Sequence, residues 1–74
     1  MMVPRVTVTE LFDVFRNEPG GLRWIGAAPS MQKALERARK DMGEHGRCNY
    51  LILEIKNGKR TVVTPEQLDP GRHR

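Results

Sequence analysis

The stretch YLILEIKNGKRTVV, residues 50–63, carries the clearest indication of a fold in this 74-residue chain. Two runs of strand-forming residues flank Asn57-Gly58, a pair that favours a two-residue type I′ turn. That turn predicts an antiparallel hairpin with three cross-strand pairs: Leu53 with Val62, Ile52 with Val63, and Lys56 with Lys59. The apolar residues on one face are then Leu51, Leu53, Ile55 and Val62, and those on the other are Tyr50, Ile52 and Val63. Both faces of the hairpin are therefore apolar.

A second hairpin is predicted nearer the start of the chain. The segment VTVTELFDVFR, residues 6–16, is rich in β-branched and aromatic residues and indicates a strand. The NEPGG segment, residues 17–21, is typical of a turn because proline fixes one φ and glycine accepts positive φ. LRWIGAA, residues 22–28, then predicts a strand antiparallel to the first, since the turn is short.

A single long helix is predicted between the two hairpins. Ser30 is suited to the N-cap, and Gly43 or Gly46 is suited to the C-terminal end. The helical spacing forms one narrow apolar stripe of Met31, Ala34, Leu35, Ala38 and Met42. After the second hairpin, Thr64-Pro65-Glu66-Gln67 matches a capping box and predicts one further helical turn.

The order of elements predicts an α+β fold: a two-layer ββαββ sandwich with a four-stranded, mainly antiparallel sheet and one helix packed on one face. Residues 1–74 form a single small domain, with residues 1–5 and 69–74 expected to fray. We expect the inner face to carry Leu51, Leu53, Ile55 and Val62, packed against Leu35, Ala38 and Met42. One helix covers only one face of a sheet, so the other apolar face needs a partner.

The predicted interaction face consists of Leu11, Phe15, Trp24, Tyr50, Ile52 and Val63. In the first hairpin, the pattern leaves open whether Leu11 and Phe15 or Phe12 and Val14 lie on this face, and whether Trp24 or Ile25 does. A two-fold homodimer, or another protein, would cover it. Pairing of edge strands across a two-fold axis is the alternative route to the same dimer.

The charge balance allows a nucleic-acid partner as the second hypothesis. Thirteen Lys and Arg residues face nine Asp and Glu residues, giving a formal net charge of +4. The candidate phosphate contacts are Lys33, Arg37 and Lys40 along the helix, and Lys56, Lys59 and Arg60 at the hairpin tip. Glu36, Asp41 and Glu44 interrupt the basic stripe, a pattern that is equally typical of a solvated helix face.

Little in the sequence points to catalysis or to a cofactor. His45 and Cys48 form an H-x-x-C pair, but a structural zinc site needs four ligands and the only other candidate is His73. As a nucleophile and base, the same pair lacks an orienting third group. We therefore predict a non-enzymatic protein without metal, cofactor or small-molecule substrate. The single cysteine and the lack of a signal peptide or membrane-spanning run favour a cytoplasmic location.

The segment SMQKALERARKDM, residues 30–42, resembles the helix of HicB-like antitoxin domains, in which a small hydroxyl residue caps a helix with the same Ala-Leu and Ala spacing. The preceding Gly20-Gly21 hairpin is also similar. HicB-like domains place three strands before the helix, whereas this chain places two. The resemblance implies a small bacterial-type regulatory module. The first hypothesis is a self-associating protein-interaction module; the alternative is a nucleic-acid-binding or antitoxin-like regulator.

Overall fold

The computed structural model of this protein describes residues 11–68. Six elements follow one another along this part of the chain: β1 (Phe12–Glu18), β2 (Gly21–Ala28), α1 (Met31–His45), β3 (Tyr50–Glu54), β4 (Lys59–Val63) and α2 (Pro65–Leu68). The predicted ends at residues 1–5 and 69–74, and the start of the predicted strand at residues 6–10, lie outside the described residues.

The strands form one antiparallel sheet in the order β2-β1-β3-β4. Helix α1 packs on one face of this sheet, mainly over β1 and β2, and the short α2 packs against α1. The α+β architecture with two hairpins around one main helix is thus confirmed. The two hairpins meet in the middle of the sheet, so β2 and β4 are its two edges.

The helix boundaries follow the capping residues. The Ser30 Oγ accepts a hydrogen bond from the Lys33 backbone N–H at 3.1 Å, and α1 ends at Gly46, whose φ is 100°. At α2, the Thr64 backbone N–H donates to the Gln67 side-chain oxygen at 2.9 Å, and the Gln67 N–H donates back to Thr64 Oγ1 at 3.3 Å. This reciprocal pair is the predicted capping box.

The turn between β3 and β4 is longer than predicted. Leu51 pairs with Val62 and Glu54 with Lys59, so the loop has four residues, 55–58. All three predicted pairs are therefore wrong: Leu53 with Val62, Ile52 with Val63, and Lys56 with Lys59. The Gly58 N–H donates to the Glu54 carbonyl at 2.8 Å, and Gly58 has a φ of 72°. The register has moved by two residues, and a shift of two keeps together the side chains that were predicted to share a face.

The predicted assignment of the two sheet faces is reversed. Tyr50, Ile52 and Val63 were expected on the exposed face, but they are 1%, 0% and 4% exposed and belong to the core beneath the helix. The rest of that core comprises Val14, Ala28, Ala34, Ala38, Met42 and Leu68. Leu51, Leu53, Ile55 and Val62, expected against the helix, lie on the opposite face, where Val62 is 60% exposed.

Two features of the inner face explain why the helix packs there. Gly26 and Ala28 leave little side-chain bulk above β2, and the end of the Arg37 side chain from α1 fills that space so closely that a Cβ on Gly26 would lie 2.8 Å from it. Arg16 and Tyr50 project from the same face and find their polar partner, Asp41, on the helix. On the opposite face, the bulk of Phe15 and Trp24 would keep a helix away from the backbone.

Candidate interaction surfaces

The face of the sheet turned away from α1, here called the outer face, carries an apolar row that crosses all four strands. The row follows from the strand register and consists of Trp24, Phe15, Leu51 and Val62. A β-bulge between Val14 and Phe15 places Trp24, and not Ile25, opposite Phe15. The ends of the row are open to solvent, since Trp24 is 58% and Val62 60% exposed.

The strand positions of the outer face carry two charged residues, and these have opposite signs. Asp13 pairs across the sheet with Leu53, and Leu53 pairs with Arg60, so the two charges lie in one row on either side of a leucine. The Trp24 indole N–H donates to Asp13 Oδ1 at 3.0 Å, which holds the exposed indole against the sheet. Leu22 and Ile55, about half exposed, extend the apolar area beyond the row.

The structure places half of the predicted interaction residues on the outer face. Phe15 and Trp24 lie there, and Leu11, directly before β1, falls on the same side by strand alternation. Tyr50, Ile52 and Val63 are buried on the helix side of the sheet. The outer residues that were missed are Leu22, Leu51, Leu53, Ile55 and Val62. The hairpin pattern had already grouped the last four on one face. No local pattern in the sequence identifies this face as the outer one, because the choice depends on the contact between Arg16 and Asp41, which are 25 residues apart.

A polar network joins the inner face to the C-terminal half of α1. The Arg16 guanidinium donates from Nε and Nη2 to the two oxygens of Asp41 at 2.7 and 2.8 Å, and the Tyr50 hydroxyl donates to Asp41 Oδ2 at 2.5 Å. Arg16 also pairs with Glu18. Charge-assisted bonds of this kind favour the ionised carboxylate. They lower the pKa of Asp41 to about 2, while burial and the bond to Asp41 raise the pKa of Tyr50.

His45 and Cys48 lie at the edge of this network. The His45 Nδ1 is 3.2 Å from Asp41 Oδ1. His45 and Cys48 both line a shallow cleft of about 410 Å³ beside the β1–β2 turn. Within residues 11–68, no three His, Cys, Asp or Glu side chains come together as metal ligands. The third candidate, His73, lies outside the described residues. The Arg16 guanidinium, which also lines this cleft, is already paired with the carboxylates of Glu18 and Asp41.

The two groups of basic residues are on opposite sides of the molecule. Lys33, Arg37 and Lys40 line a groove of about 600 Å³ between α1 and the β2 edge. Lys56, Lys59 and Arg60 belong to the β3–β4 turn and to β4, at the other edge of the sheet. Glu36, Asp41 and Glu44 line the same groove as the helical basic residues. The structure therefore does not join the predicted phosphate contacts into one continuous basic surface.

No family model, no curated protein and no solved structure matches this chain. The resemblance to HicB-like antitoxin domains accordingly rests on the helix pattern and the preceding Gly20-Gly21 hairpin alone. In the described part of the chain, neither helix has the length and apolar character needed to cross a bilayer.

Proposed function

We propose that this protein is a non-enzymatic interaction module that associates with a second copy of itself through the outer face. The observation that carries the proposal is the apolar row across four strands, open to solvent at Trp24 and Val62. Contiguous exposed apolar surface on a small protein marks an interaction site more often than a free surface. Trp24 and Val62, at the ends of the row, belong to the edge strands β2 and β4. A flat partner surface can therefore contact all four residues of the row.

The arrangement of charge on this face favours a second copy as the partner. A surface that meets its own image must not place like charges against each other. The outer face has one acidic residue, Asp13, and one basic residue, Arg60, which flank Leu53 in the same row. A two-fold axis parallel to the strands, between β1 and β3, brings the Arg60 of each copy over the small Ala27 and next to Asp13 of the other. The same axis sets Trp24 over Val62 and Phe15 over Leu51.

The size of the face sets the expected strength of association. Four strands about 4.8 Å apart and five residues long span roughly 19 by 17 Å, or on the order of 300 Å² in projection. Two such faces with their side chains bury about 1,000 Å² of accessible surface, which is at the lower end of specific interfaces. We therefore expect a dimer that dissociates at concentrations of about 1–100 μM.

Sedimentation equilibrium tests this function with a matched pair of variants. The wild-type mass should rise with concentration from 8.5 kDa towards twice that value. Val62→Lys places a charge in the row and should keep the protein monomeric. Gln32→Lys adds the same charge at an exposed position of α1 and should dimerise like the wild type. A wild-type protein that stays at the monomer mass up to about 1 mM, a concentration far above the range for such an interface, would contradict the proposal.

The nucleic-acid hypothesis makes a different prediction for the same protein. Binding through the basic groups would weaken steeply as salt rises, because phosphate contacts release counterions. Self-association through the outer face buries mainly apolar surface, with only the Arg60–Asp13 contacts for salt to screen, so it should weaken much less as salt rises. Sedimentation in about 50 mM and 500 mM salt, together with a gel-shift assay at low salt, separates the two.

A further inference from the structure

The two edges of the sheet differ in how they are protected from pairing with another strand. The β4 edge is five residues long and begins with Lys59 and Arg60. The β2 edge is eight residues long and has one charged residue, Arg23, whose Nε is 3.1 Å from Glu18. Edge strands offer free backbone N–H and C=O groups, and short length and lysines are the usual protection. The β2 edge has neither of these, and its one such device is the bulge at Ile25.

A groove runs beside this less protected edge. Its volume is about 600 Å³, and it lies between α1 and the second half of β2, with Ile25, Ala27 and Ala28 on the strand side. The opposite wall is the polar side of α1. An edge strand with a helix beside it is the arrangement in which peptides add to a sheet: the strand supplies main-chain hydrogen bonds and the helix supplies side-chain contacts.

The geometry points to a peptide-binding site: we propose that an extended segment of a partner polypeptide adds to β2 as a fifth strand and places acidic side chains in the α1 groove. This site is separate from the outer-face dimer and does not depend on it. Addition at the β2 edge leaves the outer face exposed, and the dimer described above leaves the groove open.

The preference for acidic side chains follows from the charges that are already paired in the groove. Asp41 is occupied by Arg16 and Tyr50, and Glu36 lies 3.6 Å from Lys33. Within the described residues, neither Arg37 nor Lys40 has a carboxylate within ion-pair distance. The groove therefore presents two positive charges, Arg37 and Lys40, that these carboxylates do not offset. The two lie three residues apart on one side of the helix, and Glu44 is the acidic residue that opposes them near the far end of the groove.

The period of a strand gives the sequence pattern of the partner. Side chains of an added strand point alternately to the two sides of the sheet. One set would enter the groove towards Arg37 and Lys40, and the other would continue the outer face beside Trp24. We therefore expect acidic and apolar residues to alternate in the partner segment, with no proline at the positions that bond to β2.

Hydrogen exchange with a short synthetic peptide of alternating glutamate and valine tests the site, with an alternating lysine–valine peptide as the control. The glutamate peptide should slow exchange of β2 amides and leave β4 amides unchanged, and the lysine peptide should bind about tenfold more weakly. The measurement is made on the wild type and on Val62→Lys, so that the result is independent of self-association.

A pair of charge variants assigns the binding to the groove. Arg37→Glu/Lys40→Glu should weaken the glutamate peptide by about tenfold, whereas Lys56→Glu/Lys59→Glu at the opposite edge should leave its affinity within about twofold. Arg37→Gln, which removes the positive charge without reversing it, is the milder variant should the double change impair folding.

Four results would overturn the proposal. Three are the absence of β2 protection by the glutamate peptide, equal binding of the two peptides, and equal loss in the two charge variants. The fourth is protection of β2 in Val62→Lys that appears without peptide and grows with protein concentration, which would identify a second copy as the occupant of the edge.

Discussion

The two faces of one sheet have nearly the same hydrophobicity in this protein but opposite surroundings. The inner face carries Tyr50, Ile52 and Val63 under the helix, and each is at most 4% exposed. The outer face carries Phe15, Trp24, Leu51 and Val62 without any described element over it. What distinguishes the faces is their polar content: the inner face has Arg16 and Tyr50, which need a partner, and α1 supplies it as Asp41.

This difference shows how a small domain chooses which side of an apolar sheet to cover. Apolar burial alone favours either face about equally, because its free energy is non-directional. Helix α1 presents small residues, Ala34 and Ala38, to the sheet, and Gly26 leaves room on β2 for the end of the Arg37 side chain. The bulky row of the outer face is then left for another surface. The variants below each change one face, or the helix that covers the inner face. The free energy of unfolding or the self-association is then measured to show whether the two faces act separately.

The largest difference is expected between neighbouring residues of β3. Ile52→Ala should lower the free energy of unfolding by about 3–4 kcal/mol, because the fully buried side chain leaves a cavity. Leu51→Ala, one residue away on the outer face, should cost about 1 kcal/mol or less in the monomer and should weaken self-association instead. Urea unfolding at low protein concentration measures the first effect. Equal costs for the two variants would mean that the faces are not energetically distinct.

Removal of the Asp41 carboxylate, which bonds α1 to Arg16 and Tyr50 of the sheet, should have the next largest effect. Asp41→Ala leaves the Tyr50 hydroxyl and the Arg16 guanidinium without their shared acceptor and should cost about 2–3 kcal/mol. Glu44→Ala, at an exposed position almost one turn further along α1, is the control and should change stability by no more than about 0.5 kcal/mol. Thermal unfolding of both variants provides the comparison, and indistinguishable midpoints would show that the network does not fix the helix on the inner face.

Acid should act through the same carboxylate. The pKa of Asp41 is about 2 in the folded protein, against 3.8 as its ordinary value, because Arg16 and Tyr50 bond to the ionised form. Between these two values the unfolded chain takes up a proton that the folded protein excludes, so stability is complete above about pH 4 and falls towards pH 2. The loss should be about 1–2 kcal/mol, and Asp41→Asn should remove most of this part of the pH dependence. An unchanged slope in the variant would contradict the assignment to Asp41.

A smaller effect is expected at the start of α1, outside both faces. Ser30→Ala removes the acceptor for the Lys33 N–H and should cost about 1 kcal/mol. Ser30→Asp keeps a capping oxygen and should restore most of that stability. Circular dichroism during urea unfolding measures both variants. If alanine and aspartate behaved alike, the cap would contribute nothing to holding the helix over the inner face.

The helices and strands could be predicted from the sequence alone. The face of the sheet that the helix covers could not. Ser30, Gly46 and the Thr64–Gln67 box set the helix boundaries through local chemistry, and local chemistry can be read from residue types. Grouping Leu51 with Val62 survived a two-residue error in the turn because strand side chains alternate. Which group meets the helix depends on Arg16 and Asp41, 25 residues apart, and on the bulge at Phe15. Neither follows from local pattern.

The most direct test of the outer face uses the chain's single tryptophan, Trp24, as a probe at the end of the apolar row. If two copies associate through this face, the emission maximum should lie at shorter wavelength in concentrated solution and shift to longer wavelength on dilution from about 1 mM to 0.1 μM, a range that spans the dissociation expected for an interface of this size. Val62→Lys should give the long-wavelength spectrum at every concentration. A wild-type spectrum that does not change over this range would contradict the account, because the indole would then remain in water whatever else the protein does.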